Sequence, residues 1–201
     1  RLTPECLLLT AGAGNEQLIE QLGGTGPAMQ RRPLQQVLVK HEYNEALYAH
    51  CMGGNPSPRL TVSSHTTRTG EPVWYLGGDL ATEGVNDTPE VLIDKARSEL
   101  AALFPWINFG HCEWRVIKVD RAEPKQSRLL KPDEAFVAPV EGVSNTLAAW
   151  PTKLTLCPDL GNKIDSVLQA RGIQPGHHQS LAPLTNLAFP EIAASCWDRL
   201  F

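Results

Sequence analysis

The chain has 201 residues, of which 42% are hydrophobic and 20% charged, enough to bury one good core, or one domain and pieces of a second. Its 18 basic and 22 acidic residues give a net charge of -4 and are scattered without a long single-sign run, which excludes a nucleic-acid binder working through a basic face. Cys6, Cys51, Cys112, Cys157 and Cys196 stand at wide spacings with no CxxC pair and no zinc-type His/Cys cluster, so reduced thiols and no metal are expected. No apolar run reaches the roughly 20 residues of a membrane helix and no charged-then-apolar leader opens the chain, which predicts a cytoplasmic protein without a membrane span. Arg1 is not an initiator methionine, so the natural start is expected upstream.

In chain order, Glu5 to Thr10 (ECLLLT) is an apolar run of the kind found in a buried parallel strand. It leads into Ala11 to Gly14 (AGAG) and a helix from about Asn15 to Leu22, with Asn15 as N-cap, Leu18, Ile19 and Leu22 as inner stripe and Gly23-Gly24 as stop. Strand, small-residue turn and helix make half of a βαβ unit, a turn where a backbone or phosphate can come close. Arg31 to His41 reads as a strand carrying Leu34, Val37 and Val39, with Pro33 at its edge. Asn44 to Cys51 is expected to be a short helix or loop, and Met52 to Pro58 a turn.

Arg59 to Gly78 is the segment around which the rest is organised. Leu60, Val62 and Ser64 alternate with Thr61, Ser63 and His65, and Val73 and Tyr75 alternate with Trp74 and Leu76. Gly70 and Pro72 in the polar interval predict a hairpin loop. A polar connection (DLATEGVND) precedes the clearest helix, capped by Thr88, with Pro89 first, Leu92, Ala96, Leu100 and Leu103 as its stripe and Pro105 as its end. Glu113 to Asp120 is a strand, Arg121 to Asp133 a basic loop, and Glu134 to Val140 and Asn145 to Trp150 are short strands. Pro151 to Gly172 is a loop entering a helix with Leu160, Ile164 and Val167/Leu168 inward, and residues 173–201 form a tail ending in one or two amphipathic turns. The predicted class is α+β: a mostly antiparallel, mixed sheet with flanking helices.

Several residues admit a functional and a structural reading at this level. Gly12 and Gly14 suit either cofactor contact or a plain tight turn, and Lys153 either a cofactor charge or a solvated loop. His65 is a general base or a hydrogen-bonded sheet histidine. Trp74 and Tyr75 are a substrate cage or sheet packing. His177-His178 lacks a visible third metal ligand. His111 and Cys112, adjacent on a strand, would point to opposite faces and so fail as base and nucleophile.

The order of these pieces resembles the C-terminal portion of the D-amino-acid-oxidase-like FAD-dependent oxidoreductases, the superfamily of glycine and sarcosine oxidases and glycerol-3-phosphate dehydrogenases. LLLTAGAGNEQLIEQLG is similar to the family's late dinucleotide-fold strand, whose Ala-Gly turn passes the cofactor. RRPLQQVLV is similar to the strand that enters the substrate domain, VWYLGGDLATEGVND with the Thr88 helix to a strand ending in Gly-Gly, and PTKLTLCPDLGNKIDSVL to the loop and helix that return to the cofactor.

The resemblance covers about residues 4 to 172. It implies a remnant of the FAD domain at 1–24, a substrate or cap domain at 25–144, a return segment at 145–172 and a tail at 173–201. It implies FAD contact at Ala11, Gly12, Lys153, Leu154 and Thr155, and substrate contact at Arg121, Glu123, His65 and Tyr75, with a small amine or alcohol oxidised at the neighbouring C–H bond. The family's Gly-x-Gly-x-x-Gly turn is absent from the chain, so a missing N-terminal FAD-binding domain is the expected partner and FAD binding by this chain alone is not expected. Exposed apolar surface left by that domain would favour self-association.

Two departures from the family matter. Its Gly-x-Arg-Pro stretch, whose arginine grips a substrate carboxylate, is DRAEP here, placing Glu123 at that position and disfavouring an amino-acid substrate unless Arg121, Arg115 or Arg128 substitutes. The return loop carries Pro151 and Lys153 where the family tends to have glycine; Pro151 offers no amide, and Lys153 would supply positive charge near the flavin N1 and C2 oxygen. The catalytic residue is left unassigned. The alternative to an enzyme part is a non-catalytic binding module that kept the sheet domain.

Overall fold

A computed structural model describes residues 3–43, 45–125, 134–176, 187–189 and 191–201. Asn44, Arg128, His177 and His178 lie outside the described residues. The chain divides into two compact units, residues 1–32 with 120–188 and residues 33–119 with 189–201. Both contain helices and sheet, and antiparallel pairing predominates, so the class is α+β.

The first unit is built on a three-stranded sheet in the order β1 (Leu7–Leu9), β8 (Thr146–Trp150), β7 (Phe136–Pro139). β1 runs parallel to β8, with Leu7 opposite Thr146 and Leu9 opposite Ala148; β7 is antiparallel to β8, with Phe136 opposite Trp150. Every residue of β8 is buried, as a central strand covered on both faces requires. Its side chains alternate: Ala148 and Trp150 join Leu9, Ile19 and Val140 in one cluster, and Ala149 joins Ala135 and Leu160 in another. Helix α1 (Asn15–Gln21) supplies Ile19 and helix α4 (Cys157–Ala170) supplies Leu160. Gly23 at φ +77 and Gly172 at φ +74 end the two helices in the left-handed region that glycine enters without cost.

The second unit holds most of a five-stranded sheet in the order β3 (Tyr48–Met52), β4 (Pro58–Thr66), β5 (Pro72–Gly77), β2 (Met29–Lys40), β6 (Glu113–Pro124). β4 and β5 form the expected hairpin, with Val62 opposite Leu76 and Ser64 opposite Trp74, turning through Gly70 at φ +91. One face carries Val37, Val39, Leu60, Val62, Trp74 and Leu76. Helix α3 (Pro89–Leu103) lays Leu92, Ala96 and Leu100 on it, all fully buried. Each such leucine contributes about 1.5–3 kcal/mol of burial. The Thr88 hydroxyl accepts from the Val91 amide, and α3 ends before Pro105 as the sequence predicts.

The structure corrects four local expectations. The segment expected as helix or loop before Met52 holds strand β3, a short edge strand whose pairing with β4 shifts register between Cys51 and Met52. The polar connection after Gly78 is helix α2 (Asp79–Glu83) followed by a 3-10 turn, Gly84–Asn86, with Leu80 and Ala81 buried. Arg121 to Pro124 extend β6 instead of opening a loop. His111 and Cys112 precede β6 and so are not strand neighbours.

Candidate functional site

In the first unit the parallel pair β1 and β8 end side by side at Leu9 and Trp150. The carboxyl end of parallel strands is where open α/β sheets take their ligands. All five cofactor candidates lie in the two segments that leave this end, Ala11 and Gly12 after β1 and Lys153, Leu154 and Thr155 after β8. Ala11 and Gly12 enter a 3-10 turn, Gly12–Gly14, and Lys153 caps another, Leu154–Leu156.

The turn after β1 is held from beneath. Asn15 is fully buried inside α1 and is not its N-cap, which is Gly14 without a side-chain hydrogen bond. Its Oδ1 accepts from the Ala11 amide at 2.7 Å and its Nδ2 donates to the Ala149 carbonyl at 3.2 Å, which is how a buried side-chain amide is satisfied. The Trp150 indole N–H donates to the Gly12 carbonyl at 3.0 Å. Gly12 holds φ +57, and a Cβ there would meet no atom within 4 Å, so the outer face of the turn is open at backbone distance. Along the return loop Lys153, Leu154 and Thr155 are exposed, Leu154 to 87%.

The substrate candidates fall into two pairs. Arg121 and Glu123, two residues apart on β6, share a strand face in the first unit. Glu123 is fully buried. It is ion-paired with Arg32, and its Oε1 accepts from Gln30 Nε2 at 2.9 Å, which ties β6 to β2. Its Oε2 and the buried Nε of Arg121 have no hydrogen-bond partner among the described residues. The structure therefore gives Glu123 a neighbouring cation, which DRAEP alone does not reveal.

His65 and Tyr75 form the other pair, in the second unit, on the sheet face opposite Trp74; their rings meet edge-on with centroids 6.2 Å apart. Ser63 Oγ is hydrogen-bonded to His65 Nε2 at 2.9 Å. Trp197, from helix α5 (Cys196–Leu200), stacks on His65 with centroids 3.9 Å apart. The tail is fixed further by the Arg68 amide donating to Asp198 at 2.6 Å and by Arg115 Nε donating to the Leu200 carbonyl at 3.0 Å. Lys40 and Arg115 both approach the Phe201 ring. Burial lowers the His65 pKa, and burial, with Cys196 nearby, pushes Tyr75 up to about 12. Both side chains are neutral at pH 7.

Trp74, the other aromatic weighed as a substrate cage, is fully buried and packs on His41, Tyr43, Phe104 and Phe109. Desolvation raises the Cys112 and Cys51 thiols, which disfavours a thiolate at either. Among the described residues no group of three or more His, Cys, Asp or Glu could hold a metal ion, and no helix is long and apolar enough to cross a membrane. Three clefts among the described residues, of about 600, 460 and 450 Å³, are lined by none of the cofactor or substrate candidates.

Trp150, Asn15 and Thr152 were not visible as site residues in the sequence. Trp150 and Gly12 are 138 positions apart, and a tryptophan closing a short apolar strand carries no local sign of its partner.

No family model matches the chain. It is 48% identical over 196 residues to the probable FAD-dependent oxidoreductase PA4991 of Pseudomonas aeruginosa, a match covering 97% of this chain and 49% of that protein. The crystal structure of the FAD dependent oxidoreductase PA4991 from Pseudomonas aeruginosa matches with a TM-score of 0.85 at 47% identity, over 97% of this chain and 52% of that one. The chain is thus a partial homologue of a probable FAD-dependent oxidoreductase and spans about half its length.

Proposed function

We propose that this chain is the C-terminal part of an FAD-dependent oxidoreductase of the D-amino-acid-oxidase-like kind, which oxidises a C–H bond next to an amine or alcohol. The observation that carries the reading is the 48% identity along 97% of the chain to about half of a probable FAD-dependent oxidoreductase. The open turn at Gly12, at the carboxyl end of two parallel strands, supports it: a backbone without a side chain facing open space is what close approach of a cofactor needs.

In this reading FAD, when bound, supplies the two-electron acceptor at its ring N5. Ala11 and Gly12 present backbone to it, Lys153 supplies positive charge, and Leu154 and Thr155 cover its edge. Asn15 and Trp150 hold the turn in the binding shape, so that little is lost to ordering it. Arg121 is the candidate for an acidic or polar end of the substrate, while Glu123 keeps Arg32 and Gln30 in place beside it. Within the second unit His65 and Tyr75, both neutral, form a separate candidate pair for hydrogen bonding to a small molecule. The nucleotide half of FAD falls to a missing N-terminal domain, the principal partner, which would also cover Leu8, Leu22 and Leu154, exposed in this chain. In its absence those side chains favour self-association.

The test is an FAD titration, followed by quenching of flavin fluorescence, of this chain and of the full-length protein. Stoichiometric binding by the full-length protein and none by this chain is the expected result. A full-length protein that binds no FAD would refute the reading, and tight binding by this chain alone would refute the need for the other half.

A further inference from the structure

Among the described residues, Thr152 is the one non-glycine with a left-handed backbone, at φ +63. The Lys153 amide donates back to the Pro151 carbonyl at 2.7 Å, so Pro151, Thr152 and Lys153 close the rare left-handed form of γ-turn. A β-branched residue is poorly suited to that conformation, which glycine enters freely and asparagine tolerates. Such strain persists only where the surroundings over-determine it, and it concentrates at ligand clamps.

The surroundings here are specific. Thr152 Oγ1 lies 3.0 Å from the Glu134 carbonyl and 2.6 Å from the Pro151 carbonyl, and its single proton serves both. The hydroxyl tethers the turn to the segment before β7, and a glycine, although free of strain, would lose that tether. The turn redirects the chain at the end of β8, just past Trp150, into Lys153–Thr155 and then α4.

Resting on the cofactor reading above, we infer that Thr152 is a positioning residue for FAD: its strained turn and its tether fix the course of Lys153–Thr155 along the cofactor. A turn serving only to connect β8 to α4 would leave FAD affinity unchanged when made glycine, whereas one that aims the loop would lose aim when the tether goes.

The experiment compares Thr152→Gly and Thr152→Asn in the full-length protein, reading the Tm of the apoprotein, the Kd for FAD and the visible spectrum of the bound flavin. For Thr152→Gly, loss of the tether and relief of strain offset each other, and the apoprotein Tm stays within about 2 °C of wild type. Its FAD Kd rises about tenfold, and the flavin band changes shape. Thr152→Asn, which keeps a left-handed preference and a side-chain donor, stays within about threefold of wild type. Wild-type affinity and spectrum in Thr152→Gly would overturn the inference, as would a loss of affinity that only follows a fall in apoprotein Tm. A wild-type protein that binds no FAD overturns the cofactor reading itself and this inference with it, so the two failures are distinguishable.

Discussion

The Trp150 indole N–H donates to the Gly12 carbonyl at 3.0 Å, joining the strand that leads to the return loop to the turn that follows β1. One hydrogen bond thereby couples two candidate cofactor segments distant in sequence. Trp150→Phe keeps most of the ring in the core beside Phe136 and removes the donor. The expected cost to stability is about 1–3 kcal/mol, from the lost bond and the smaller side chain. FAD affinity of the full-length protein should fall further than that loss explains, because Asn15 is then the one side chain among the described residues that holds the turn, and the Gly12 carbonyl is released. Urea unfolding of the apoprotein alongside an FAD titration measures both.

His41 predicts a pH dependence. It is buried against Trp74, and its Nδ1 accepts from the Tyr43 amide at 3.1 Å, leaving Nε2 protonated and without a partner among the described residues. Burial pushes its pKa down from 6.5 to about 4. Between those values the unfolded chain binds a proton that the folded one refuses, so stability is full above about pH 6.5 and falls as the pH drops towards 4. The full effect is about 3 kcal/mol, converting the shift at 1.36 kcal/mol per unit. Between pH 6.5 and 5 carboxylates contribute little, and His41→Phe should flatten the slope of the urea midpoint there. An unchanged slope would assign it elsewhere.

Trp197 predicts a local effect. Its stacking on His65 helps desolvate the imidazole. Trp197→Ala should raise the His65 pKa towards its ordinary value and expose the face shared with Tyr75 and Ser63. Histidine titration by NMR reads the first and proteolysis of the tail the second; an unmoved His65 would show that the sheet itself does the desolvating.

What was legible in the sequence follows from how local each signal is. The β4–β5 hairpin shows as two alternating runs around Gly70 and Pro72, and α3 as Thr88, Pro89 and a stripe of Leu92, Ala96 and Leu100, because periodicity and capping are written within a few residues. β3 was missed since an edge strand of five residues, Tyr48 to Met52, is partly exposed and carries no clean alternation of burial with polarity. The end of β6 was missed because Arg121 and Glu123 are charged and Pro124 offers no ladder donor, and what holds them in a strand includes Arg32 and Gln30 reaching Glu123 from β2. At the candidate site Ala11 and Gly12 stood out as a small-residue turn. The anchoring by Trp150 and Asn15 and the left-handed Thr152 depend on contacts across the chain, which no local pattern records.

The most direct measurement of the central claim, that cofactor lies on the turn after β1, pairs Gly12→Ala with Gly23→Ala in the full-length protein. Both glycines have positive φ, +57 and +77, and at neither would a Cβ meet an atom within 4 Å. Within this chain the two substitutions therefore carry a similar strain of about 1–2 kcal/mol and no clash. The account predicts that both lower the apoprotein Tm by similar amounts, while Gly12→Ala alone raises the FAD Kd, by at least about tenfold. Equal FAD affinity in the two variants would contradict it.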